Sequence, residues 1–163
     1  EKTVFFSDVA TAVRFDEGLV EARHHVNFQI AQGQLSDIRI TAPQNMTVTA
    51  VEGAGLGAWR FDPVTHELEA RLAQPATGEY QLRVVTQVST TRTPFDVSVG
   101  GLVVQDAVRQ RGTMGILTAD SVHVQITEAP ATMNVDDFAR DAAALIQAVA
   151  NGSGGRAPVR PTV

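Results

Sequence analysis

No cysteine occurs among the 163 residues, which excludes disulfides, thiolate zinc sites, iron–sulfur ligation and cysteine nucleophiles together. Charge is sparse as well: 19% of residues are charged, 13 basic against 18 acidic, for a formal net of -5. A nucleic-acid-binding surface needs concentrated positive charge and is not expected. No apolar stretch approaches the roughly 20 residues that cross a bilayer as a helix, so no membrane insertion by this segment is expected. The opening EKTVFFSD also lacks the apolar centre of a signal peptide. The D-x-D-x-D-G calcium loop, the G-x-x-x-x-G-K phosphate loop and the G-x-S-x-G nucleophile elbow are all missing. Neither a cofactor nor a motif-based enzyme activity is expected.

What remains is a chain with 44% hydrophobic residues and a mean hydropathy of -0.01. That supplies one domain with a sizeable core, while the length is too short for two. Starting at Glu1 and ending in NGSGGRAPVRPTV, it reads as a soluble segment cut from a longer protein, or as a processed one.

Period-two alternation is the clearest pattern present. Over residues 19–30, Val20, Ala22, His24, Val26, Phe28 and Ile30 take one side, and Glu21, Arg23, His25, Asn27 and Gln29 the other. Successive side chains leave opposite faces of a pleat, so this is a long, half-buried antiparallel strand. Phe5, Val9, Val13 and Phe15 share a phase before it, and Asp16-Glu17-Gly18 supplies turn chemistry, which together predict a long opening hairpin. Short strands are expected at 35–41, 46–52, 58–62, 67–73 and 80–88. Between them stand a hairpin loop around Asp62-Pro63 and a loop over 74–79. Pro94, Gly100, Gly101, Gly112 and Gly115 suggest bulges or edges, and Val122, Val124 and Ile126 a last strand. The fold class is mainly β: a two-layer antiparallel β-sandwich with one C-terminal α-helix. Its expected core includes Val26, Phe28, Ile30, Val48, Trp59, Leu82, Val84 and Val124.

The helix is read over 135–150. Asn134 and Asp137 form a variant capping box, Phe138, Ala142, Leu145, Ile146 and Val149 recur at helical spacing, and Asn151-Gly152 supplies the stop. The organisation is then a β-sandwich domain over 1–133, a helix over 134–151 packed on it or on a partner, and a linker-like tail over 152–163. An isolated helix of this length is marginal in water, so its apolar stripe is the candidate interface.

Candidate chemistry is thin. His24 and His25 are adjacent on a strand and point to opposite faces, so they cannot close on one ion. His24 reads as a core or interface histidine and His25 as solvated. His66 falls in a turn and His123 in the outward phase of its strand. Glu67 and Glu69 share a face at a separation of about 7 Å that some glycosidases use, but with Leu68, Ala70 and Leu72 opposite they read as a solvated face. Trp59, followed at i+2 by Phe61, reads as core; exposed, it would be a candidate contact for a sugar or peptide. Arg109 and Arg111 are expected to meet acidic neighbours. No catalytic, cofactor-binding or metal residue is assigned.

The runs Met46-Thr-Val-Thr-Ala-Val-Glu-Gly53, Trp59-Arg-Phe-Asp-Pro63, Glu67-Leu-Glu-Ala-Arg-Leu72, Gly78-Glu-Tyr-Gln-Leu-Arg-Val84 and Arg109-Gln-Arg-Gly112 carry a resemblance. Over roughly residues 17–128 the rhythm resembles β-sandwich segments of large multidomain bacterial cell-envelope proteins. The resemblance implies a non-catalytic structural or interaction module, periplasmic or extracellular. Its partners would be other domains of the parent chain or a self-associating copy. The rhythm is also similar to the non-catalytic β domain that opens some aminopeptidases, although no H-E-x-x-H follows. An accessory domain of a hydrolase is thus an alternative, beside a carbohydrate- or peptide-binding module.

Overall fold

A computed structural model describes residues 2–90, 97, 99–118 and 125. Among these, seven strands form one sheet: β1 (Val4–Asp16), β2 (Leu19–Thr41), β3 (Thr47–Gly53), β4 (Leu56–Asp62), β5 (Glu67–Ser89), β6 (Val103–Val104) and β7 (Gln110–Thr118). The main path runs β3-β5-β2-β1-β7, with β4 added to β5 and β6 added to β2. Every pairing is antiparallel except that of β7 with β1, which is parallel. The chain is therefore mainly β, as the alternation predicts.

The opening hairpin forms as expected. Asp16 pairs with Leu19 around Glu17-Gly18, and of these two turn residues only Gly18 takes a positive φ, 79°, a conformation that favours glycine at the second central position of a turn. Phe5, Val9, Val13 and Phe15 all face inward and are buried.

The longest strands differ from the expectation. Residues 19–30 and 35–41 belong to one 23-residue strand, and so do 67–73 and 80–88. The expected 74–79 loop is a corner inside β5. Between the pairs Ile30–Gly78 and Leu35–Ala76, β2 advances five residues while β5 advances two; between Leu35–Ala76 and Asp37–Arg71 the counts reverse. The two irregularities cancel, so the ladder resumes in register past the bend. Gly33 and Gly78 take the left-handed backbone there, with φ of 76° and 72°. Pro75 lies in the part of β5 that has no β2 partner, where a missing N–H breaks no ladder bond. Turn-forming residues thus bend a paired strand instead of ending it.

Past the corner, β2 and β5 carry two arms of the sheet. In the upper arm β2 pairs with β1 and β5 with β3, and β7 is added to β1; in the lower, β6 pairs with β2 and β4 with β5. Both arms feed one buried cluster: Val26, Phe28, Leu82 and Val84 from the upper, Ile38, Ile40, Leu68 and Leu72 from the lower, with Val48, Leu102 and Val104. Each large side chain buried in this way stabilises the fold by about 1.5–3 kcal/mol. Phe28 sits between Phe5 and Tyr80, with ring centroids 5.9 and 6.2 Å away. A second cluster, around Val13, Phe15, Val20, Ala22 and Met46, fills the far end of the upper arm.

Of the expected core, Val26, Phe28, Ile30, Val48, Leu82 and Val84 are buried. Trp59 is a correction, at 37% exposed. It does share a face with Phe61, since the two oppose the buried Ala70 and Leu68. However, β4 pairs with β5 alone, so the indole stands at the margin of the lower arm with no described strand beyond it. Val124, the strand through Val122 and Ile126, the helix with Phe138, Ala142, Leu145, Ile146 and Val149, and the 152–163 tail all lie outside the described residues.

Candidate functional site

The alternation that builds the upper arm also carries His24 into its core. Its partners lie on the flanking strands: Thr11 in the inward phase of β1, directly opposite His24, and Thr86 in that of β5, two residues beyond Val84, which pairs with His24. Thr11 Oγ1 is 2.8 Å from Nδ1 and Thr86 Oγ1 is 2.9 Å from Nε2. Thr86 also donates to Met46 Sδ at 3.7 Å. That leaves its oxygen lone pairs for the Nε2–H, so Nδ1 accepts from Thr11. The ring is fully buried, and burial pushes its pKa from 6.5 down to about 3, because the charged form has no water to stabilise it. With both nitrogens occupied and no solvent access, His24 has no lone pair for a metal or substrate. It is the core histidine that its phase indicates.

His25 points the other way and is half-buried; burial and then the Arg83 guanidinium lower its pKa. His66 closes the 62–66 turn. Its N–H donates to the Asp62 carbonyl at 2.8 Å, and its own carbonyl accepts from Ala42 at 2.9 Å. Its Nδ1 donates to the Met46 carbonyl at 3.2 Å, and its ring stands edge-on to Phe61 at 5.8 Å. Asp62 accepts from the Val64 and Thr65 N–H groups at 2.8 and 3.3 Å. Those bonds favour the carboxylate and hold its pKa below the usual value. His123 lies outside the described residues.

The acidic and basic candidates are mostly paired. Glu69 binds Arg60 at 2.8 Å in an exposed ion pair. Arg111 meets Asp8 at 2.9 Å, as expected. Among the described residues no group of three or more His, Asp or Glu side chains could hold a metal ion. A hollow between the arms, lined by Phe5, Phe28, Leu35 and Ile38 and rimmed by Asp37 and Arg39, has about 40 Å³, room for a few waters.

Trp59 remains as an exposed aromatic. It stands on an edge strand beside the Arg60–Glu69 pair, with Val64 at the tip of the same hairpin exposed. Among the described residues this arrangement offers a flat apolar contact at a strand edge. The polar partners of His24 were missed in the sequence reading. Thr11 lies between Val9 and Val13 in the apolar phase and Thr86 follows Val84 in another, so a polar residue in each inward phase was the available signal.

The sequence matches no protein-family model and no curated protein sequence. The fold does have solved counterparts. An M1 zinc metallopeptidase mutant from Deinococcus radiodurans, bound to a Tyr-Ser-Ala substrate, aligns with a TM-score of 0.50 at 12% identity. A two-domain M1 zinc metallopeptidase mutant bound to L-tryptophan aligns with the same score and identity. In each case the alignment covers 71% of this chain and 32% of the peptidase, so the chain spans about a third of the length of these proteins. What this chain shares with them, at that identity, is the fold of its β sheet.

Proposed function

We propose that this chain is a non-catalytic β module of a larger protein, of the accessory kind that a multidomain hydrolase carries. The observation that bears most weight is the fold correspondence with about a third of a zinc metallopeptidase chain. The chemistry of the described residues agrees with it: His24 is sealed between two threonines, and Glu69, one of the two acids that share a face, is bound to Arg60. In this reading the two arms act as the two layers of a sandwich, closed by a C-terminal helix. The module docks against other domains of its parent chain or a second copy. The parent protein belongs to a bacterial envelope, periplasmic or extracellular, on the strength of the sequence rhythm. The test is to supply Zn²⁺ to the purified chain and assay it on fluorogenic aminoacyl amides. No turnover and no stoichiometric zinc are expected; one zinc per chain with turnover that a chelator abolishes would overturn the reading.

A second reading, a carbohydrate- or peptide-binding module, rests on the exposure of Trp59. Titrating the chain with oligosaccharides and short peptides while following tryptophan emission separates the two. Saturable protection from a neutral quencher would favour the binding module, and its absence the accessory domain.

A further inference from the structure

The face of the upper arm that points away from the core is open at one end and closed at the other. Phe6, in the outward phase of β1, is 38% exposed, and Gln29 and Arg83 on neighbouring strands are exposed too. Further along the same phase Ala12 is 0% exposed. On β7, Gly115 and Leu117 are buried, Leu117 at 6%. Ala12 pairs with Gly115 and Arg14 with Leu117, so these residues form one continuous floor. Neither Ala12 nor Leu117 belongs to the two clusters described above, which lie on the other face.

Neighbouring side chains explain only part of this. The stem of Arg14 stands beside both residues and that of Arg23 lies opposite Ala12 on β2; their heads are held by Asp16 and Glu21, each at 2.9 Å. Leu117, however, is on an edge strand, with no described strand beyond β7. One arginine stem cannot close that open side.

We propose that this floor seats the chain's own segment 135–150, laid on the β1–β7 outer face through Phe138, Ala142, Leu145, Ile146 and Val149. The path of the chain favours it, because β7 ends at Thr118, next to the floor, with residues 119–163 still to follow. The link over 119–134 reaches about 50 Å when extended, ample for the segment to turn back. The composition favours it as well. Alanine and glycine let a helix approach the sheet closely, Leu117 supplies a projection to pack between turns, and the stripe is apolar on one side only. β1 would then be buried on both faces at Ala12, which accounts for alanine at a position where the alternation calls for a polar residue.

The absence of cysteine makes the test direct. In the full chain, Ala12→Cys or Leu117→Cys is combined with Leu145→Cys or Val149→Cys on the stripe, or with Arg140→Cys or Gln147→Cys on the opposite side. Oxidation is followed by mass spectrometry and by mobility without reductant. The stripe pairs should cross-link within one chain at least about tenfold faster than the opposite-side pairs, since a disulfide needs Cα atoms about 4.4–6.8 Å apart. Two floor positions guard against one variant misfolding, and thermal melts of the reduced variants identify any that do. Cross-links only between chains would mean that a second copy covers the floor and would overturn the proposal. Equal rates for stripe and opposite-side pairs, or no cross-link from either floor position, would overturn it too.

Discussion

The Nε2 atom of His24 lies 2.9 Å from the Thr86 hydroxyl across the β2–β5 ladder, inside a core whose burial keeps the imidazole neutral. The pH dependence follows with a definite sign. Above pH 6.5 the ring is neutral in both states and its contribution is complete. As pH falls below 6.5 the unfolded chain takes up a proton that the folded chain refuses until about pH 3. Stability should then fall by about 1.4 kcal/mol per pH unit from this site. Urea unfolding between about pH 6.5 and 4.5, above the main carboxylate range, checks it: His24→Gln should flatten the slope by about 2–3 kcal/mol over that window. His25→Gln is the companion, because its lowered pKa adds in the same direction.

The corner glycines should rank by what surrounds them. Gly78 has φ of 72° and nothing within 4 Å of an added Cβ, whereas Gly33 has φ of 76° and an added Cβ would lie 3.1 Å from Thr3 Cα. Gly78→Ala is expected to cost about 1–2 kcal/mol from backbone strain alone, and Gly33→Ala more, because the backbone at Thr3, just before β1, must also shift. Denaturant midpoints of the two variants at constant m-value give the comparison.

Phe28 is fully buried between two rings. Truncation to alanine leaves a cavity at the junction of the two arms, and a loss of about 3–5 kcal/mol is expected. Calorimetry checks it, and the unfolding should remain one transition because both arms share the cluster.

Trp59 should behave as a marginal residue. A neutral quencher should reach its fluorescence readily in the native state, the reverse of what a core position would show. Trp59→Ala should cost clearly less than the about 3–5 kcal/mol of a buried aromatic. A loss equal to that of Phe28→Ala would mean that the indole is covered.

The phase of every long strand was legible because burial on one face writes itself into alternate residues, as in Val20 to Ile30. Continuity was not. Gly33, Pro75 and Gly78 carry the same local chemistry whether they end a strand or bend one, and only the ladder on the far side decides. The parallel placement of β7 on β1 was equally hidden, since Gln110–Thr118 contains nothing that names its partner. For Trp59 the phase was right and the depth wrong: alternation reports which side a residue faces, while burial depends on whether another strand lies beyond. The site followed the same rule. His24 was assigned to the core from its phase, and its threonine partners became recognisable only once three strands stood side by side.

The 23-residue length of β2 has a consequence during synthesis. It leaves the ribosome long before β5, which supplies its second neighbour along both arms. Until residue 89 has emerged, one side of β2 presents a row of unpaired backbone donors and acceptors, and its apolar face has little to cover it. A nascent chain stalled in that interval is a template for strand addition by other nascent chains. Translation speed and chaperone supply over this stretch, more than the stability of the finished sheet, would then set the yield of soluble protein.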